Sequence, residues 1–360
     1  MASLLWVSAE TPDRYGQGGQ RRQYHQIRAL TQLGHSVRVL ALASAQSASS
    51  VKEVCEVRRA RVAIKRIYLP ALERRLHKQI NNDQSDVLIV SHIESCSMLP
   101  DDLRADRPSL LDVHNVTSDW FMRRGLREQA EVALVKERHA LERFTVASTC
   151  SELETERLIY RHPAVKGRVF AAPLGVDPDE WPDIPRSRQD AIVALFGSWD
   201  WLPNELGLHW FVQEVWPLVV EACPQARALV AGSGVATQAN WPASVTYVGR
   251  VSSLAEFTAQ ATVVAVPVLM GVGASVKFAE ALASGASVVA TSDGASAFPT
   301  SPAFISDDAE SWAQWIIDRL IRRGQEEVPA PTREYALRDL NWASAVRPIN
   351  AWLQSVLGNS

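Results

Sequence analysis

Cysteine is scarce in this 360-residue sequence, and the four cysteines lie far apart. Cys55, Cys96, Cys150 and Cys223 form no Cys-x-x-Cys pair, so neither a zinc site nor a disulfide framework is indicated. No apolar run approaches the ~20 residues that a membrane-spanning helix requires. Residues 1–8 lack the basic start and the apolar stretch of a signal peptide. We therefore expect a soluble, cytoplasmic protein.

A strong net charge is also missing, since 37 Lys and Arg face 40 Asp and Glu, and we expect no nucleic-acid partner. The charge is unevenly divided: residues 1–175 carry 26 basic and 20 acidic side chains, whereas residues 176–360 carry 11 and 20. This asymmetry favours two separately built domains. Much of the excess of basic residues lies between Lys52 and Lys78. This segment is either a solvated helix face or a patch that binds an anionic acceptor or a membrane surface. The basic residues between its two ends are Arg58, Arg59, Arg61, Lys65, Arg66, Arg74 and Arg75.

Short apolar runs alternate with helical patterns, which is typical of βαβ units and parallel sheets. A first set of strands is predicted over 4–8, 37–43, 87–91, 110–113, 145–148 and 169–172. A proline-rich linker follows over 173–188, and the pattern then restarts. The second set of strands is predicted over 191–196, 226–230, 245–247, 263–266, 288–290 and 304–305. The clearest helices are predicted over 21–33, 120–144, 205–221, 254–260, 276–283, 309–322 and 342–357.

This alternation predicts an α/β fold of two doubly wound Rossmann-like domains facing across a cleft, with ligands at the carboxyl ends of the strands. The domains span residues 1–175 and 176–340. The last residues, 341–360, are predicted to form a helix that packs back toward the first domain.

The most informative segment covers residues 267–285, where a strand ends, a glycine-containing loop follows and a helix opens at Ser275, a good N-cap residue. Gly271 and Gly273 permit the backbone to approach a ligand closely. Free N–H groups at the positive helix end favour an anion. Lys277 lies in the first turn, where a cation is disfavoured by about 0.3–1 kcal/mol unless an anion binds. The segment therefore predicts a phosphate site, and an ordinary helix start is the alternative.

The same segment resembles the donor-binding region of GT-B glycosyltransferases of family 4. Weaker similarities lie in residues 172–177, 196–217, 230–234 and 248–251, and Gly18-Gly19 with Arg22 is similar to the family's glycine-rich acceptor-side loop. The positions of this sequence that match the donor-site pattern are Gly271, Gly273, Lys277, Glu280, Ala281, Ala283, Gly285 and residues 288–291.

The resemblance implies a hexosyl- or related glycosyltransferase that moves a sugar from a nucleoside-diphosphate sugar to an acceptor hydroxyl. It implies retention of the anomeric configuration and no metal or other cofactor. Residues 1–175 would bind the acceptor, which is a polysaccharide, a lipid-linked sugar or a small natural product. Residues 176–340 would bind the nucleotide sugar. A peripheral contact of the basic first half with the inner membrane face is an option.

The resemblance also implies roles for single residues. His114 and Lys277 would be catalytic, and Gly18, Gly19 and Arg22 would lie on the acceptor side. No residue is expected to bind a metal. The nucleotide-sugar set consists of Gly197 after its strand, Arg250 and Val251 at the base, Gly271, Gly273, Ala274 and Ser275 with Lys277 at the diphosphate, and Glu280 at the ribose.

Two departures from the family pattern keep alternatives open. Val272 stands where many members have a glutamate that holds donor-sugar hydroxyls, and residues 198–201 (Ser-Trp-Asp-Trp) replace the usual Arg…Lys pair. A non-catalytic sugar-nucleotide or glycan-binding protein and a nucleotide-sugar epimerase therefore remain alternatives. An oxidoreductase is disfavoured, because no Gly-x-Gly-x-x-Gly directly follows a strand. Trp199 and Trp201 either stack on a base or sugar or belong to the core, and His92 after its strand is either a site residue or a loop residue.

Overall fold

The computed structural model describes residues 1–42, 56–60, 70–101, 103, 106–185, 190–235, 241–323 and 331–358. The chain forms two compact units. Unit 1 contains Met1–Leu174 together with Trp342–Ser360, and unit 2 contains Gly175–Asn341. These boundaries lie within one residue of those that the sequence predicts. Among the described residues, no helix has both the length and the apolar character that crossing a membrane requires.

Unit 1 is built on a seven-stranded sheet in which all neighbours run parallel. Its order is β3-β2-β1-β4-β5-β6-β7, so the direction of winding reverses between β1 and β4. Loops that leave the carboxyl ends of these two strands therefore diverge and leave room for a ligand. The strands are β1 (Ser3–Ser8), β2 (Ser36–Leu42), β3 (Glu56–Ala60), β4 (Val87–Ser91), β5 (Ser109–Val113), β6 (Val146–Thr149) and β7 (Val169–Ala171).

Helices cover this sheet, and the core lies between the two layers. The central strands β4 and β5 are mostly apolar and fully buried, as expected where helices flank a parallel sheet. Leu111 of β5 and Leu158, for example, share one cluster with Val90 of β4. The helices are α1 (Gly18–Gln32), α2 (Pro70–Asn81), α3 (Thr117–Arg123), α4 (Arg127–Glu142) and α5 (Glu152–Arg161).

Unit 2 repeats the plan with a six-stranded parallel sheet of order β10-β9-β8-β11-β12-β13, which reverses its winding between β8 and β11. Three buried aromatic side chains, Phe211, Trp216 and Trp312, fill the centre of its core. The strands are β8 (Ile192–Ser198), β9 (Arg227–Ser233), β10 (Val245–Gly249), β11 (Val263–Val266), β12 (Ser287–Ala290) and β13 (Phe304–Ile305).

The helices of unit 2 begin with α6 (Leu202–Trp210), which continues through a π-helical turn (Phe211–Val215) into α7 (Trp216–Ala222). The others are α8 (Leu254–Ala259), α9 (Val276–Ala283), α10 (Ser292–Ala295), α11 (Ala309–Ile321) and α12 (Pro331–Asp339). The chain then returns to unit 1 with α13 (Trp342–Ala345) and α14 (Arg347–Leu357).

Two side chains of unit 1 hold this returning segment. The Trp342 indole stacks on the imidazole of His25 with 5.0 Å between ring centroids, and the Asn350 amide oxygen lies 2.8 Å from His35 Nε2. Burial and the nearby arginines lower the pKa of His25 to about 3, so its ring is neutral at pH 7. The segment is thus a structural part of unit 1.

The predicted α/β class with two doubly wound sheets is confirmed, and all twelve predicted strands are present. The basic segment from Lys52 to Lys78 is not one helix face, because Arg58 and Arg59 belong to strand β3, which the sequence analysis missed. Arg74 and Arg75 are exposed on α2, whereas Arg61, Lys65 and Arg66 lie outside the described residues.

The helix predicted over 120–144 is two helices, α3 and α4, and Gly125 with φ of +74° lies between them. Similarly, the helix predicted over 342–357 is divided into α13 and α14 at Val346.

Candidate functional site

The loop between β11 and α9 lies at the point of unit 2 where the sheet reverses its winding, and hydrogen bonds fix its first half. Thr291, which is fully buried, donates through Oγ1 to the Val268 carbonyl (2.6 Å) and accepts from the Val268 N–H (3.1 Å). Asp293 Oδ2 accepts from the Gly271 N–H at 3.0 Å. The Gly271 N–H is therefore occupied within the protein, and the loop is held in place before any ligand arrives.

The second half of this loop leads into α9 and leaves its N–H groups available. The Ser275 hydroxyl caps the helix by accepting from the Phe278 N–H at 3.2 Å, and Gly273 adopts φ of +71°, which suits glycine. The backbone N–H groups from Gly273 to Lys277 donate to no acceptor among the described residues. A run of free donors at the positive end of a helix attracts an anion. The predicted set of Gly273, Ala274 and Ser275 lies on this run.

Lys277 extends from the first turn of α9 toward the end of β8. Its ammonium donates to Asn204 Oδ1 at 2.7 Å and lies 5.1 Å from the centre of the Trp199 ring. Gly197, in β8, lies next to this side chain, since a Cβ at that position would be in van der Waals contact with Lys277 Nζ at 3.4 Å. Burial lowers the pKa of Lys277 to about 7, and the nearby Glu280 carboxylate opposes that shift. The charge of this lysine is therefore sensitive to an anion.

The remaining predicted donor-site residues differ in exposure. Glu280 is 4% exposed on α9, three residues after Lys277. Arg250 is exposed and Val251 half-buried just after β10, so their predicted contact with a base stays a prediction. Trp199 is 1% exposed and donates from Nε1 to the Ala231 carbonyl, which places it in the core, whereas Trp201 is 40% exposed. Of the two tryptophans, only Trp201 has a surface on which a ligand can stack.

In unit 1, the predicted residue His114 belongs to a buried polar cluster at the carboxyl end of β5. Its Nε2 lies 2.9 Å from both Asp112 Oδ2 and Ser91 Oγ. Asp112 also accepts from the Arg22 guanidinium at 2.9 and 3.2 Å and from the Ser148 hydroxyl at 2.8 Å. This ion pair and the buried hydrogen bonds hold the pKa of Asp112 well below its usual range, against desolvation. Arg22 is only 2% exposed and acts on the surroundings through Asp112.

His92 and the start of α1 lie against His114. The two imidazoles are 3.6 Å apart between ring centroids, and His92 adopts φ of +70°, which is strained for a residue with a side chain. A Cβ at Gly19 would lie 2.8 Å from His92 Nε2 and 3.2 Å from His114 Nδ1, so only glycine lets α1 approach the two rings this closely. Gly18 begins the same helix. The structure thus brings His92, His114, Gly18 and Gly19 together.

The sequence analysis missed two buried residues that organise these sites, Asn204 in unit 2 and Asp112 in unit 1. Asn204 lies 73 residues before the lysine that it contacts, and Asp112 lies 90 residues after the arginine with which it pairs. A signal for Asp112 was present, since it is a charged side chain within an otherwise apolar strand, whereas Asn204 stands next to Glu205 in a mixed sequence. A buried polar group requires a partner, although its position in the sequence does not reveal which one.

The fold and these sites define the class of protein, which is the GT-B type with two doubly wound domains. Comparison with protein families agrees. A model described as "Glycosyl transferase 4-like domain" matches residues 17–175, and one described as "Glycosyl transferases group 1" matches residues 190–321. The chain is therefore a glycosyltransferase that joins a 4-like domain to a group 1 domain. No curated protein sequence matches it.

Solved structures resemble this chain over nearly its whole length. Sucrose-phosphate synthase from Thermosynechococcus elongatus is 17% identical with a TM-score of 0.74, over 99% of this chain and 100% of that one. HepE from Anabaena in complex with UDP-glucose is 13% identical with a TM-score of 0.68, over 99% and 100% of the two chains. WaaG, a glycosyltransferase involved in lipopolysaccharide biosynthesis, is 13% identical with a TM-score of 0.64, over 97% and 99%. At these levels of sequence identity, the similarity establishes the fold and nothing further.

Proposed function

We propose that this protein transfers a glycosyl group from a nucleoside-diphosphate sugar to a hydroxyl group of an acceptor, with retention of the anomeric configuration. One observation carries the proposal. The free N–H groups from Gly273 to Lys277 and the Lys277 ammonium form a prepared anion site at the start of α9. The HepE neighbour, which has the same fold, was solved with UDP-glucose, a donor of this class.

In this reaction the bond between the sugar and the diphosphate breaks, and a bond from the acceptor oxygen to the sugar forms. Negative charge develops on the departing diphosphate. Fixed N–H donors and the lysine stabilise that charge without reorganising, which is the main source of rate enhancement in such a site. The acceptor proton passes to the departing phosphate. We propose that no metal or other cofactor takes part, because the α9 donors and Lys277 supply the required positive charge.

For unit 1 we propose that His114 meets the transferred sugar and that the start of α1, with Gly18 and Gly19, faces the acceptor. Asp112 holds the His114 ring through its Nε2, and Arg22 holds Asp112. The acceptor is a hydroxyl compound, namely a polysaccharide, a lipid-linked sugar or a small natural product. The basic side chains of unit 1 favour an acceptor that is itself anionic or that lies at an anionic membrane surface.

The first prediction concerns nucleotide binding by Lys277. Among UDP, GDP, ADP and dTDP, at least one should raise the melting temperature, since a ligand at 100 times its Kd adds about 2.7 kcal/mol. Lys277→Ala should weaken that nucleotide at least about tenfold, or about 1.4 kcal/mol, because the diphosphate loses its cation. Titration calorimetry measures the affinity. Lys166→Ala, which removes an exposed lysine of unit 1, is the matched control.

If Lys277→Ala and Lys166→Ala bind the nucleotide equally well, the site at α9 is wrong. The class of reaction has its own test. A transferase consumes the nucleotide sugar only with an acceptor and yields a product whose anomeric configuration, read by NMR, equals that of the donor. An epimerase would interconvert the donor without an acceptor, and a binding protein would leave it unchanged.

A further inference from the structure

The surroundings of Lys277 contain no second basic group in contact with its ammonium among the described residues. The side chains that face the ammonium are an amide, Asn204, and an indole, Trp199, with the carboxylate of Glu280 one turn further along α9. The position of the Lys277 ammonium therefore depends on two neutral neighbours, Asn204 and Trp199.

Both neighbours are themselves fixed. The Asn204 amide nitrogen donates to the Ser198 carbonyl at 2.8 Å, which leaves Oδ1 directed at the ammonium. The Trp199 indole donates from Nε1 to the Ala231 carbonyl at 2.9 Å and is completely surrounded by protein, so its ring cannot turn. Both groups attract a cation, the oxygen by accepting a hydrogen bond and the ring by its π face, and neither carries a negative charge.

We propose that Asn204 and Trp199 are positioning residues of the donor site, and that they fix the Lys277 side chain for a nucleoside diphosphate without placing a competing negative charge beside it. The inference rests on the proposed function and deepens it. A carboxylate in place of Asn204 would keep the lysine charged at all times but would compete with the phosphates. The amide avoids this competition.

Burial lowers the pKa of Lys277 to about 7, and the neutral side chains of Asn204 and Trp199 supply no negative charge to offset that effect. Above pH 7 the free protein holds the lysine mostly neutral, and a bound diphosphate raises its pKa. Binding therefore takes up a proton, and by linkage the affinity should fall as pH rises, by up to about tenfold per pH unit. The terminal phosphate has its own pKa near 6, so it is already ionised in this range and does not contribute.

The experiment is titration calorimetry of the full chain between pH 7 and 9, in buffers of different ionisation enthalpy, with whichever of UDP, GDP, ADP and dTDP raises the melting temperature. For the wild type we expect an uptake approaching one proton at pH 8. Asn204→Asp should abolish both the uptake and the pH dependence, because the carboxylate keeps Lys277 charged. Lys277→Arg should do the same, since guanidinium does not titrate here.

Two further pairs of variants distinguish a positioning role of these residues from an effect on folding. Asn204→Leu should bind about tenfold more weakly at pH 7, whereas Asn82→Leu, at an exposed position of unit 1, should bind as the wild type does. Trp199→Phe keeps an aromatic face and should stay within about threefold of the wild type, whereas Trp199→Leu should not. Circular dichroism establishes which variants are folded, and competitive acetylation of Lys277 at graded pH reports its pKa without any nucleotide.

The outcomes are distinct. Nucleotide binding by the wild type without proton uptake, or an unchanged pH dependence in Asn204→Asp, overturns the inference and leaves the proposed function standing. Binding of none of UDP, GDP, ADP and dTDP at any pH overturns both. A lysine that acetylates with an ordinary pKa in the wild type also overturns the inference, whatever the calorimetry shows.

Discussion

Asp112 is the residue on which the polar cluster of unit 1 depends. It is fully buried, and its two oxygens serve Arg22, His114 and Ser148 at distances of 2.8–3.2 Å. A buried ion pair need not add much net stability, because both charges have been removed from water. Removing one partner is costly, however, since the other charge then stays buried without compensation. Asp112 is thus essential for the fold around His114.

We predict that Asp112→Asn destabilises the protein by about 3–5 kcal/mol, because the Arg22 guanidinium loses its only anionic partner in the part of the chain that the structure describes. Urea unfolding measures the change. Asp318→Asn is the matched control, since it breaks an exposed Asp–Arg pair of α11 and should cost less than about 1 kcal/mol. An equal loss in the free energy of unfolding for the two variants would mean that the buried pair contributes no more stability than a surface pair.

Single residues could be identified from the sequence where a local pattern gives them a task. Lys277 was identified because a cation in the first turn of a helix needs an explanation, and the structure places it beside the free donors of α9. Asn204 gives no such signal, because its role arises only when α6 and α9 come together. Trp199 follows a strand end in the sequence, yet its hydrogen bond to Ala231 turns it into the core.

Helix α6 and the loop that follows β11 illustrate how elements position the candidate anion site at α9. Gly207 lies against the backbone of Pro267, and a Cβ at this glycine would collide with the Pro267 carbonyl oxygen. In addition, the Leu269 N–H donates to the Pro203 carbonyl at 3.1 Å. The helix that carries Asn204 is therefore in direct backbone contact with the loop that leads to Lys277.

We predict that Gly207→Ala costs about 3 kcal/mol of stability, because neither backbone can yield without disturbing its own hydrogen bonds. UDP or GDP binding should weaken as well, since α6 and the loop move apart. Gly125→Ala is the control: it also replaces a glycine, but no atom lies within 4 Å of its Cβ, and its positive φ alone should cost about 1 kcal/mol. If urea unfolding shows that Gly207→Ala is as stable as Gly125→Ala, the close backbone contact at Gly207 is wrong.

The elements that the sequence predicted best are those with an unbroken apolar pattern. Strands β4 and β11 have the predicted bounds, and so does helix α9. Strand β3 was missed because its sequence, Glu-Val-Arg-Arg-Ala, carries three charges and is stabilised by pairing with β2 rather than by its own composition. The division between α3 and α4 depends on one glycine with positive φ, which a helical pattern tolerates in sequence.

At the level of the molecule, the chain contributes to unit 1 twice. Trp342–Ser360 belongs to unit 1 although it follows all of unit 2, and Trp342, Ile349 and Leu353 bury their side chains there. The opposite net charges of the two halves and the proline-rich linker revealed the division in the sequence. The sequence analysis also predicts that residues 341–360 return to the first domain, but the contacts that hold them there, such as that of His25 with Trp342, follow no local pattern.

We predict that deleting residues 342–360 destabilises unit 1 and leaves unit 2 intact, because the buried apolar side chains removed belong to the first core only. Hydrogen exchange followed by mass spectrometry should show faster exchange in β1, β4 and α1 and unchanged exchange in β8 and β11. The truncated protein should still bind UDP or GDP. Faster exchange throughout both units would show that they unfold as one.

The discontinuity of unit 1 has a consequence for biosynthesis. On the ribosome, residues 1–174 emerge first but lack α13 and α14, whereas unit 2 is continuous and has all its elements once Asn341 has left the exit tunnel. Domains fold as units during translation. Unit 1 therefore cannot be completed before Trp342–Ser360 has emerged, and until then the apolar surface that receives Trp342 and Leu353 is open to chaperones.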